Sequence, residues 1–100
     1  MPGITRLGDV CTGHDCFPPR ASTGGSPDVF VNGIPAHRQG DEWESHTCTC
    51  PLVPHGTHNS ELAGGSQSVF VNGKPVGRID DAVACGGSVA RGSINVFAGG

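Results

Sequence analysis

The sequence predicts an all-β fold, a small pseudo-threefold body of short β-hairpins closed by its own two chain ends. Three observations predict it. First, Gly25-Ser-Pro-Asp-Val-Phe-Val-Asn-Gly-Ile-Pro-Ala-His-Arg-Gln-Gly-Asp41 returns 40 residues later as Gly65-Ser-Gln-Ser-Val-Phe-Val-Asn-Gly-Lys-Pro-Val-Gly-Arg-Ile-Asp-Asp81. Internal repetition of this kind decides architecture before any local propensity does. Second, a third copy begins at Gly92-Ser-Ile-Asn-Val-Phe-Ala-Gly-Gly100, and its missing half lies at the other end of the chain, in Gly3-Ile-Thr-Arg6-Leu-Gly-Asp9. A linear stack of repeats has no use for that arrangement, whereas a closed ring of three requires it. Third, no segment carries helical periodicity, and Asp81 to Val89 reads as a short turn at most.

Each copy reads as a hairpin. Val29-Phe-Val31 and Val69-Phe-Val71 are β-forming runs, and the Asn32-Gly33 and Asn72-Gly73 pairs after them are two-residue turn signals. Pro35 and Pro75 follow each turn, where proline fits only a strand edge or start. The return strand is expected to run on through Arg38 or Arg78 to an Asp. The second copy is preceded by an insertion, Thr49 to Glu61.

Composition narrows the function classes. The chain has 100 residues, of which 17 are Gly and 8 Pro, and Leu, Ile, Val and Phe together make only 21. That apolar content lies just above the ~20% at which disorder becomes the default, so the expected core is thin. A net charge of −3 with six Lys and Arg excludes a basic nucleic-acid footprint. No apolar run reaches membrane-spanning length. Met-Pro-Gly-Ile-Thr-Arg lacks the apolar segment of a signal peptide, so the chain is expected to be made in the cytoplasm. Five Cys and five His are a heavy load for this length. The odd cysteine count without a secretory signal argues for thiols or a metal over a disulfide framework, and a small domain with a thin core needs such a staple.

Aligning the copies on Asp9, Asp41 and Asp81 sharpens the metal reading. His14 and His46 each fall five residues after their Asp, and Cys85 falls four after its own. A threefold arrangement converges these three near one axis. A structural zinc takes four ligands, commonly mixed His and Cys. The insertion offers His55 and His58 as the fourth, and His58 lies nearer the re-entry at Leu62-Ala-Gly-Gly-Ser66. A zinc with four protein ligands has no open position for water and is structural. A separate thiolate site from Cys11, Cys16, Cys48 and Cys50 is disfavoured, since Cys16 and Cys48, each two residues past its His, read as small buried packing groups in equivalent places. His37, which stands where the sister copy has Gly77, is expected to be solvated. Trp43 has no counterpart in the other copies and is expected to pack. Arg6, Arg38 and Arg78, each three residues before an Asp, are expected to form structural ion pairs or to bond backbone across the copies. No nucleophile motif, phosphate loop or paired carboxylates stand out.

Pro35-Ala-His-Arg38 and Pro75-Val-Gly-Arg78, taken with Thr12-Gly-His14, Ser45-His-Thr-Cys48 and Ala84-Cys-Gly-Gly87, resemble the PAAR-repeat proteins. The resemblance runs from Gly3 to Gly100; His37, Val76, Gly77 and Asp80 depart from the usual pattern at minor positions. It implies a cone that caps the trimeric β-helical spike of a type VI secretion system or of a contractile phage tail. It implies one structural zinc near the apex held by three His and one Cys, which carry over as His14, His46, His58 and Cys85. It further implies one chain per spike trimer, transient passage through a target-cell membrane, export through the contractile apparatus, and no chemistry. Residues 1–100 are expected to be a single domain with no effector extension, any effector cargo being separate. The competing reading is a small zinc-dependent hydrolase with three protein ligands and a metal-bound water.

Overall fold

A computed structural model describes residues 1–13, 19–47, 57–84 and 86–99, with residues 45–47 and 57–60 described for their backbone alone. The described residues contain no helix and three two-stranded antiparallel sheets. These pair β1 (Phe30–Val31) with β2 (Ile34–Pro35), β3 (Glu42–Thr47) with β4 (Thr57–Glu61), and β5 (Phe70–Val71) with β6 (Lys74–Pro75). The body is elongated, 41 × 24 × 21 Å.

The Asn-Gly turns account for the first and last hairpins. Asn32 and Gly33 have φ of 57° and 77°, and Asn72 and Gly73 have 55° and 77°. Two consecutive positive φ values give the turn whose twist matches the strands, and Asn-Gly adopts it at least cost. Ser26, Ser66 and Ser93 fix the entry to each hairpin. Their hydroxyls accept from the amides of Val29, Val69 and Val96 at 2.9, 3.0 and 2.9 Å.

The third hairpin is built from both chain ends. Phe97 bridges Gly3 just as Phe30 pairs with Pro35 and Phe70 with Pro75. The amides of Ala36, Val76 and Ile4 donate to the carbonyls of Val29, Val69 and Val96, each at 3.0 Å. The three copies then close a ring. His37 N donates to Thr5 O (3.1 Å), Thr5 N to Gly77 O (2.9 Å), and Gly77 N to His37 O (2.8 Å). A second cycle repeats it: Leu7 N to Pro35 O, Gln39 N to Pro75 O and Ile79 N to Gly3 O, at 2.9, 2.9 and 3.0 Å. These six hydrogen bonds pair backbone groups that an open stack would leave bare at its ends.

The return strands are shorter than the sequence reading expects. Instead of continuing to the Asp, the chain makes its last backbone bonds to its own hairpin at Ala36 and Val76 and from there pairs with its neighbour. Arg38 bridges Val76, Arg6 bridges Ala36, and Ile4 bridges Arg78. Proline removes an amide from the ladder, so each two-stranded unit ends there.

Two apolar clusters lie on either side of the Thr5–His37–Gly77 layer in the chain order of every copy. Ile4, Ala36 and Val76 meet Val31, Val71 and Ala98 in the first. Cys11, Trp43 and Val83, each two residues past its Asp, meet Leu62 and Val89 in the second. Trp43 therefore does have counterparts, and it packs as expected, 3% exposed.

Candidate functional site

Arg6, Arg38 and Arg78 form three equivalent latches. In each, the backbone amide and Nε of the Arg donate to Oδ2 of the Asp three residues on, and Nη2 donates to Oδ1. For Arg38 and Asp41 these distances are 2.9, 2.8 and 2.9 Å. The two other pairs repeat the fork, Arg6 on Asp9 and Arg78 on Asp81. Bidentate geometry of this kind is the strong form of a charge-assisted hydrogen bond. Burial works to push the Asp41 carboxyl upward, but the hydrogen bonds from Arg38 outweigh it and hold the group below its ordinary range. The same bond raises the Arg38 guanidinium.

The remaining guanidinium nitrogen reaches into the next copy. Nη1 of Arg6 donates to Asn32 Oδ1 (3.1 Å), and that of Arg38 to Asn72 Oδ1 (2.9 Å). The third copy has Gly99 in place of the Asn, and there Arg78 Nη1 donates to the Gly99 carbonyl at 3.0 Å. Ser26 Oγ joins the Asn72 acceptor at 2.6 Å, and Ser66 Oγ bonds Gly99 O. The arginines are thus both ion pairs and inter-copy ties. Each is committed to a structural partner.

His37 overturns the expectation of a solvated ring. It is fully buried, its Nδ1 lies 2.8 Å from the Gly24 carbonyl, and it meets Trp43 edge to face at 5.0 Å. Burial pushes its pKa down, partly opposed by the bond to Gly24. Thr5, His37 and Gly77 share one hydrogen-bonded layer, and the Gly that stands in the sister position answers to crowding there and not to exposure. A Cβ at Gly77 would lie 2.6 Å from Leu62 and 2.8 Å from Thr5. Glycine in one copy marks a crowded position.

The four expected metal ligands divide into two groups. His14 and Cys85 lie outside the described residues, as do His55, Cys16, Cys48 and Cys50. His46 and His58 fall on β3 and β4, where the backbone pairs them directly opposite each other. An extra residue in β3 between Trp43 and His46 sets this register; without it His58 would face Ser45. Bulges of this kind re-aim residues, often beside functional sites. Directly opposite positions in an antiparallel pair are about 4.5–5.5 Å apart between Cα atoms, close enough to serve one ion. Cys11, by contrast, is 5% exposed and packs inside the second cluster.

Outside these features, three of the four phenylalanines stand out at equivalent positions of the three copies. Phe30, Phe70 and Phe97 are 54%, 55% and 48% exposed. An open groove of about 480 Å³ borders Gln39, Glu61, Leu62, Lys74 and Pro75; it brings one carboxylate and one amine to a shallow surface. The described residues contain no helix long and apolar enough to cross a membrane.

A family model described as PAAR motif matches residues 12–91. No curated protein matches the chain.

Proposed function

Because the chain belongs to the PAAR-motif family, whose members are structural spike-tip proteins, we propose that it caps a trimeric β-helical spike as a single-chain tip with one structural zinc. The observation that carries the reading is the threefold closure. One chain presents three equivalent faces, each with an exposed Phe, and so can meet a partner with a true threefold axis. Exposed aromatic groups of this size serve as interface anchors, and short edge strands can extend a partner's sheet through main-chain hydrogen bonds.

The metal part of the proposal assigns His14, His46, His58 and Cys85 as ligands. What supports it is the donor set and the β3–β4 register that pairs His46 with His58. Bound there, a zinc would cross-link the separate chain segments that carry these four residues. The remaining proposals follow from the same reading: export through a secretion apparatus or carriage in a phage tail, transient passage of a target membrane, and separate effector cargo.

The experiment is elemental analysis with melting curves for the wild type and for His46→Ala, His58→Ala and His55→Ala. A structural site predicts about one zinc per wild-type chain, loss of metal and a lower melting midpoint for the first two variants, and wild-type behaviour for the third. Retention of metal by His58→Ala at an unchanged midpoint would overturn the four-ligand site. That result would favour the hydrolase, whose zinc needs only three protein ligands.

A further inference from the structure

Three buried polar side-chain atoms in and beside the axial layer lack a partner among the described residues. Thr5 Oγ1, His37 Nε2 and Trp43 Nε1 are buried with no hydrogen-bond partner among the described residues. Thr5 and His37 are 0% exposed and Trp43 is 3% exposed. Buried polar atoms are almost always paired, with protein or with ordered water, so three orphans in one neighbourhood need a common explanation.

They do share a neighbourhood. His37 N donates to Thr5 O at 3.1 Å, and the His37 ring meets Trp43 at 5.0 Å with an interplanar angle of 71°. The chemistry of the three atoms is also complementary. The Gly24 carbonyl, 2.8 Å from His37 Nδ1, can only accept, so Nδ1 carries the hydrogen and Nε2 offers a lone pair. Trp43 Nε1 can only donate, and the Thr5 hydroxyl does either. A metal ion finds no lone pair on Trp43, and an anion is repelled by the lone pair of Nε2. A ligand that donates to one atom, accepts from another and bonds the third in either sense is a water.

We propose that Thr5 Oγ1, His37 Nε2 and Trp43 Nε1 together hold one ordered water beside the pseudo-threefold axis, between the two apolar clusters. The water donates to Nε2, accepts from the Trp43 N–H and bonds the Thr5 hydroxyl. A buried water typically makes about three such bonds, and about one occurs per 27 residues of globular protein. Lowering of the His37 pKa by burial supports the arrangement, since it keeps the ring neutral and Nε2 an acceptor.

The test uses the full chain loaded with zinc. A crystal structure that resolves ordered solvent is expected to show one peak about 2.7–3.2 Å from all three atoms. In solution, ¹⁵N-labelled protein is expected to show a water-to-Trp43 Hε1 NOE and ring nitrogen shifts of the Nδ1–H tautomer. A direct bond from Thr5 to Nε2, an Nε2–H tautomer, or loss of the NOE in a well-folded sample would overturn the assignment.

Discussion

Gly65 and Gly92 sit at equivalent points of the second and third copies, where each hairpin lies flat against its own return segment. An ideal Cβ at Gly65 would lie 2.8 Å from the Val76 carbonyl oxygen, 2.9 Å from Pro75 Cβ and 3.0 Å from the Pro75 oxygen. At Gly92 it would lie 2.8 Å from the Ile4 oxygen and 2.9 Å from the Gly3 oxygen. The obstacles are carbonyl oxygens and a proline Cβ, so no rotamer relieves them. Relief requires pulling apart the segments joined by Ser66 N to Val76 O (2.9 Å) and by Ser93 N to Ile4 O (2.8 Å). Overpacking costs about 1–3 kcal/mol and a weakened hydrogen bond adds about 1, so each Ala variant should lose about 2–4 kcal/mol. At about 4–8 °C per kcal/mol for a domain of this size, the midpoint falls by about 8–32 °C. Gly64→Ala is the control. It meets nothing within 4 Å, and lower unfolded-state entropy should leave it neutral or more stable by up to ~1 kcal/mol. Thermal melts followed by circular dichroism at saturating zinc read all three. A Gly92→Ala protein that melts like Gly64→Ala would refute the closure of the third hairpin by the N-terminal segment.

The latches predict a sharp contrast between arginines. Arg38→Ala strands Asp41, which is 8% exposed, and should cost about 3–5 kcal/mol, whereas Arg20→Ala breaks an exposed pair with Glu44 and should cost at most about 1; equal losses in urea titration would contradict this. His37 is held neutral by burial, so the unfolded chain binds the extra proton. Its contribution is complete above about pH 6.5 and declines as pH falls below that, by at most about 1.4 kcal/mol per unit. The slope of stability against pH in that range should therefore be smaller in His37→Leu than in the wild type, both zinc-loaded, and identical slopes would rule the effect out. Asp80 has φ of 77° where its counterparts are Gly8 and Gly40. Asp80→Gly should relieve about 1 kcal/mol of left-handed strain and raise the midpoint by about 4–8 °C, and a lower midpoint would show that the strain is not there. Phe30→Ala, Phe70→Ala and Phe97→Ala should each weaken spike binding about fivefold or more while melting like the wild type; unchanged affinity in all three would remove them from the interface.

Much of the architecture is legible because it is written in short-range chemistry. Asn-Gly after Val-Phe-Val specifies a hairpin twice over, and the split third copy specifies closure before any contact is known. The Ser after each Gly recurs visibly at 26, 66 and 93, yet its capping of the hairpin entry emerges only from the hydrogen bonds. The β3–β4 ladder was harder to read. Glu42-Trp-Glu-Ser-His-Thr47 and Thr57-His-Asn-Ser-Glu61 are mostly polar, so no alternation announces strands, and the bulge that puts His46 opposite His58 is a matter of register. His37 misleads for a different reason. Comparing sister positions treats them as equivalent environments, but the Gly77 position is filled by the Leu62 and Thr5 side chains, whereas the His37 ring lies against the Gly24 carbonyl and Trp43.

The most direct test of the central claim is the native mass of the complex formed on mixing the chain with a trimeric β-helical spike protein. The account predicts one chain and one zinc ion per trimer. Three chains per trimer, or no complex at all, would contradict a single-chain tip built to meet a threefold axis.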